Sequence, residues 1–185
     1  YAKNLVDNIR KQDSCIEPVF YMTWGRENGD KANCPNYKPL CTFEGMQRRL
    51  RTSYMEMARA NNATVSPVGM AWKAVRAADS NMKLYEPDES HPNQNGVYLT
   101  ACVFYSVFTQ KSALGASDQL GMDTATGHFL ERMAAKIVLD SMPVWRIMAN
   151  EANAGFDYTE NGKSISFTAE GSGFGKKQWY FGDGN

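Results

Sequence analysis

Apolar residues along this chain change their spacing several times, and each change predicts an element. Ala2, Leu5, Val6 and Ile9 recur at helical spacing, and Asp13-Ser14 ends that helix before the apolar run Pro18-Val19-Phe20-Tyr21-Met22, a buried strand. Residues 26–42 are rich in Gly, Asn, Pro, Cys and charges, the composition of a long surface loop at the end of a strand. Residues 44–61 return to helical period. Met46, Leu50, Tyr54, Met57 and Ala58 form the expected inner stripe there, with Arg48, Arg49, Arg51 and Arg59 mainly on the wet side. A second strand is expected over residues 63–68, then a helix over 69–78 with Trp72 and Val75 inward. This alternation of strand and helix predicts an α/β fold with a parallel sheet.

The turn-rich residues 79–95 lead into a helix that is apolar nearly all round, through Val97, Tyr98, Leu99, Cys102, Val103 and Phe104, as expected of one packed deeply against the sheet. A last helix covers roughly residues 123–140, through Phe129, Met133, Ile137 and Val138. Beyond Trp145 the period becomes two, in Phe156-x-Tyr158, Ile165-x-Phe167 and Trp179-x-Phe181. A domain boundary is therefore expected near Asn150. About 35 residues follow it, against the roughly 100 of a closed β-sandwich. The second domain reads as truncated.

Charge and composition exclude several partners. Lys plus Arg and Asp plus Glu are 20 each, with no basic run, so nucleic acid and anionic membranes are not favoured. No apolar stretch approaches the roughly 20 residues of a membrane span. Tyr1 in place of Met suggests a processed chain or a fragment. Cys34 and Cys41 bracket a short, turn-rich loop that a disulfide would close in an oxidising compartment. Cys15 and Cys102 are read as free, Cys102 as a small core residue. With two histidines and this cysteine spacing, no zinc site is expected.

One segment carries candidate chemistry. In Asp88-Glu89-Ser90-His91-Pro92-Asn93, proline pushes His91 out of helical geometry, making it the last extended residue before a capped helix. Asp88, three residues earlier across a turn, can reach Nδ1 of that ring. It would select the tautomer whose Nε2 accepts a proton, the arrangement of an orienting acid and a general base. Taken alone, a D-x-x-H pair also fits a salt bridge at the start of a helix.

The block from Tyr85 to Cys102, together with Phe20-Tyr21-Met22-Thr23-Trp24-Gly25-Arg26 and Ser66-Pro67-Val68-Gly69-Met70-Ala71-Trp72, resembles the SGNH (GDSL-type) hydrolase superfamily over about residues 1–140. The resemblance implies the C-terminal part of a three-layer α/β/α, flavodoxin-like fold over residues 1–148, with His91 as base and Asp88 as its partner. It also implies secreted bacterial proteins with a trailing β domain, and no metal or cofactor. The tail, residues 152–185, resembles the start of a polycystic-kidney-disease-type (PKD) domain, carried by Trp179-x-Phe181-Gly182-Asp183-Gly184. That family is a spacer or carbohydrate-associated sandwich of exported proteins. Asp183-Gly184 alone fits a hairpin turn equally.

The family's nucleophilic serine, in a Gly-Asp-Ser or Gly-Asn-Ser block, and its oxyanion-hole Gly and Asn are absent. Ser53, Ser66, Ser90 and Ser106 lie in no strand-to-helix elbow, and none is nominated. Losing the serine of such a triad costs on the order of a millionfold in turnover, so the chain by itself is expected to be inactive. Trp24 and Arg26 follow the first strand, where open α/β sheets place ligands. They could wall a substrate cleft, or pack under the Cys34–Cys41 loop and pair at the surface. His128, with no acid or cysteine grouped near it, and the methionines Met46, Met55 and Met57 are read as structural.

The expectation is a fragment of an exported, secreted or cell-surface serine esterase that cleaves an ester or acetyl group on a small molecule or carbohydrate. The missing N-terminal part of the same domain would be its partner. The alternative is a non-catalytic surface or adhesion module with a PKD-like spacer. A half sheet would expose core faces at roughly 25 cal/mol per Å², which favours truncation.

Overall fold

The computed structural model describes residues 1–147, 155–161 and 164–170, the last two as backbone strands. The order over the first stretch is α1 (Ala2–Gln12), β1 (Val19–Tyr21), a 3₁₀ turn (Lys38–Cys41), α2 (Phe43–Asn61), β2 (Thr64–Ser66), α3 (Val68–Ala78), α4 (Gln94–Thr109) and α5 (Thr124–Leu139). It is an α/β arrangement. β1 and β2 run parallel, with Val19 opposite Thr64 and Tyr21 opposite Ser66, so both strands end on the same side.

The sequence explains the element ends. Thr42 caps α2 by accepting from Gly45 N, Asn93 caps α4 by accepting from Gly96 N, and Asp123 caps α5 by accepting from Thr126 N. Asn62 closes α2 in the left-handed region at φ 46°, which asparagine tolerates better than most residues. The core includes Met22 and Val65 from the sheet, Trp72 and Val75 from α3, Leu99 and Val103 from α4, and Leu130 and Val138 from α5.

The sheet has one closed edge and one open edge. Beyond β2, Val65 N donates to Trp145 O and Thr64 Oγ1 to Arg146 O. Beyond β1 no described strand follows. A groove of about 440 Å³ lies there instead, lined by Leu5, Ile9, Val19, Tyr21 and Tyr54 among others.

Three expectations shift. The α4 helix is not covered all round: Val97, Tyr105 and Phe108 are exposed, and Tyr98, Leu99, Cys102, Val103, Ser106 and Val107 make its buried side. Within α2 the buried set is Phe43, Gly45, Gln47, Met55 and Ala58, with Met46, Leu50, Tyr54 and Met57 half-buried beside it, so the inward stripe is rotated from the one expected and includes a glutamine. In α5 it runs through Gly127, Leu130, Glu131, Ala134 and Val138, with Phe129, Met133 and Ile137 half-buried beside it.

The alternating tail forms β3 (Gly155–Asn161) and β4 (Ser164–Glu170), an antiparallel pair with Gly155 opposite Glu170 and Asn161 opposite Ser164. Both the boundary expected near Asn150 and the Trp179–Gly184 motif lie outside the described residues.

Candidate active site

Asp88 and His91 meet. Asp88 Oδ2 is bonded to His91 Nδ1, while Asp88 Oδ1 accepts from Ser90 N and His91 N, both at 2.9 Å. One carboxylate thus fixes both the backbone turn and the ring. The His91 bond first, then the two backbone N–H groups, lower the Asp88 pKa to about 2. The carboxylate therefore stays charged from the ordinary carboxylate range upward, and its charge is lost only as pH falls through that low value. Nε2 has no described side-chain partner, and the ring is 77% exposed. The pair sits at the surface and open to approach.

The turn is pinned from two sides. At its base Tyr85 and Pro92 form an isolated antiparallel bridge and Glu86 N donates to His91 O at 2.9 Å. Glu89 sits in the left-handed region at φ 61°, a conformation that disfavours non-glycine residues by roughly 1–2 kcal/mol. From the loop after β1, Glu27 N donates to Glu89 O at 2.8 Å and Trp24 Nε1 donates to Ser90 O at 3.0 Å. Lys31, from the disulfide-bearing loop, pairs with Glu89 at 3.9 Å.

Aromatic packing stiffens this support. Trp24 stacks face to face on the fully buried Trp72, centroids 3.9 Å apart and planes 5° from parallel. Tyr85 meets Trp72 edge-on and donates its hydroxyl to Gly25 O at 2.7 Å. Burial pushes the Tyr85 phenol up to about 12, so it serves as a neutral donor. Arg76 lies over Phe43 and bonds both Tyr85 Oη and Glu27 O. Gln47, 1% exposed, accepts from Gly25 N at 3.0 Å.

A second buried polar group holds the loop between α4 and α5. Glu131, 0% exposed, accepts from Tyr98 Oη at 2.6 Å, Gly115 N at 2.9 Å and Gln119 Nε2 at 3.0 Å. Burial would raise its pKa, but these donors, helped by His128, outweigh it and hold the carboxyl below its ordinary value. His128, expected to have no acid near it, therefore has one. Burial raises the Cys102 thiol to about 11, and the Glu131 charge adds to the rise. That keeps it a protonated core residue. The loop returns to the start of α4, where Gln94 Nε2 bonds Leu120 O, three residues after His91.

The other nominated residues divide. Cys34 and Cys41 form a disulfide, while Cys15 and Cys102 are free. Trp24 packs on Trp72. Arg26 is exposed, and its charge adds to the larger effect of Asn33 in lowering the Asp30 pKa. Ser66 and Ser106 are both 0% exposed, and no described serine or cysteine is bonded to His91. Among the described residues no cluster of His, Cys, Asp and Glu could hold a metal, and no helix is long and apolar enough to cross a membrane.

No family model and no curated protein matches the chain. Among solved structures, the crystal structure of a DUF4886 family protein from Bacteroides uniformis is similar in fold, with a TM-score of 0.65 at 18% identity. The match covers 74% of this chain and 54% of that one, so the chain spans about half the length of that protein.

Proposed function

We propose that residues 1–148 are the base-bearing half of an exported SGNH-type serine esterase, acting on an ester or acetyl group of a small molecule or carbohydrate. The observation that carries this reading is the Asp88–His91 pair, a charged carboxylate on Nδ1 of an exposed imidazole. A serine supplied by another part of the domain attacks the ester carbonyl while His91 Nε2 takes its proton. The tetrahedral intermediate collapses as Nε2 returns that proton to the leaving alcohol, and water repeats the sequence on the acyl-enzyme. Asp88 stays ionised throughout and stabilises the imidazolium. No metal or cofactor enters this scheme.

The open edge of β1 supports the reading. A further parallel strand there would end on the same side as β1 and β2, the side from which Trp24 and Glu27 reach the His91 turn. The exposed aromatics Tyr21, Tyr105 and Phe108 flag uncovered surface of the kind a missing half would bury. In this scheme the β tail, residues 152–185, is the start of a PKD-like spacer, and the Cys34–Cys41 disulfide suits an oxidising, extracellular setting.

Hydrolysis of p-nitrophenyl acetate by the full reading frame tests this. His91→Ala should lose on the order of 10⁶-fold in turnover, and residues 1–185 alone should be inactive. Undiminished activity in His91→Ala rules the role out. The second reading, a non-catalytic surface module, is favoured by the lack of any described nucleophile on His91. It wins if no Gly-Asp-Ser or Gly-Asn-Ser block precedes Tyr1 in the reading frame.

A further inference from the structure

We propose that Trp24 is a positioning residue for His91: its indole N–H grips the Ser90 carbonyl and thereby fixes where the turn bearing Asp88 and His91 stands. The catalytic meaning of this rests on the esterase reading; the geometry does not. Pro87, Asp88 and His91 are all exposed, so little packing locates the turn. Its outer part is held from the loop after β1 by two hydrogen bonds, Glu27 N on Glu89 O and Trp24 Nε1 on Ser90 O, and by the looser Lys31–Glu89 ion pair at 3.9 Å. Of the two hydrogen bonds, the indole's is the one a side chain supplies.

Ser90 is the best point for such a grip. Its own N–H donates to Asp88 Oδ1, and the next N–H, that of His91, donates to the same oxygen. A shift at the Ser90 carbonyl therefore moves the carboxylate and the ring together. Trp24 can hold it because its own place is set by the parallel stack on Trp72. Trp72 is wedged in turn against Gly96 of α4, where a Cβ would come within 2.4 Å of Trp72 Cη2. The chain of contact runs from the core, through two indoles, to the turn. A substrate-wall role fits less well, since one face of Trp24 is covered by Trp72 and its N–H is engaged.

Two variants remove the donor: Trp24→Phe, which keeps a single ring against Trp72, and the isosteric β-(3-benzothienyl)alanine at position 24, which keeps the stack and the indole outline. In the full chain, solvent exchange of the His91 Nδ1 proton, followed by NMR, should quicken about 2–10-fold in both, the equivalent of one net hydrogen bond. In the esterase, kcat should fall by a similar factor with KM unchanged. Exchange within experimental error of wild type in the isosteric variant overturns the proposal, as does a raised KM with unchanged kcat, which would make Trp24 a substrate wall. Absence of esterase activity from the full reading frame removes the esterase reading alone, because the exchange measurement still decides the role of Trp24.

Discussion

Replacing Glu131 by Gln keeps the shape of the side chain and removes its charge. Two of the three donors, Tyr98 Oη and Gln119 Nε2, share Oε1 and can remain on the amide oxygen. Each then changes from a charge-assisted to a neutral bond, a loss of about 1 kcal/mol apiece. The new NH₂ faces Gly115 N, donor to donor, which costs about 1–2 kcal/mol more. Relief from burying a carboxylate offsets part of this, leaving a net loss of about 2 kcal/mol. For a chain of this size that is a fall of about 4–8 °C in Tm. Differential scanning calorimetry at neutral pH reads it directly.

Acid adds an independent readout. Because the folded pKa of Glu131 lies below its ordinary value, its contribution is complete above the ordinary carboxylate pKa. It disappears as pH falls through the lower, folded value. The gap in Tm between wild type and Glu131→Gln should therefore close on acidification. A variant that melts within about 1 °C of wild type, or a gap that widens in acid, refutes the view that this carboxylate pins the loop.

Gly96→Ala should destabilise the chain by about 1–3 kcal/mol in urea titration despite the better helix propensity of alanine, because the added Cβ would meet Trp72 Cη2 at 2.4 Å and the Leu84 carbonyl oxygen at 2.5 Å. Gln47→Leu should cost about 1–3 kcal/mol by the same titration, since the buried Gly25 N–H loses its acceptor; a neutral effect would show that water or relaxation satisfies that group.

The fold was legible where periodicity decides. Among the described residues, the five helices and two parallel strands follow from the spacing of apolar positions, and Thr42, Asn93 and Asp123 mark three of the helix starts. The pairing of Asp88 with His91 was legible too, because Pro92 and a three-residue turn leave few alternatives. Buried polar groups were not. Gln47 and Glu131 stand at inward positions of α2 and α5, and a polar residue there signals a buried network, but its partners come from distant segments. The Trp24 bond to Ser90 spans 66 residues and leaves no local mark. The bare face of α4 was hidden for a related reason. Apolar spacing tells which residues prefer burial, not whether anything covers them.

The most direct test of the account is the tautomer of His91, read from the ¹⁵N shifts and proton couplings of its ring nitrogens with the imidazole neutral. The proton should reside on Nδ1, facing Asp88, with Nε2 bare, and Asp88→Ala should abolish that preference. A ring that carries its proton on Nε2 in the wild-type chain, or one indifferent to the loss of Asp88, contradicts the assignment of this pair as orienting acid and general base.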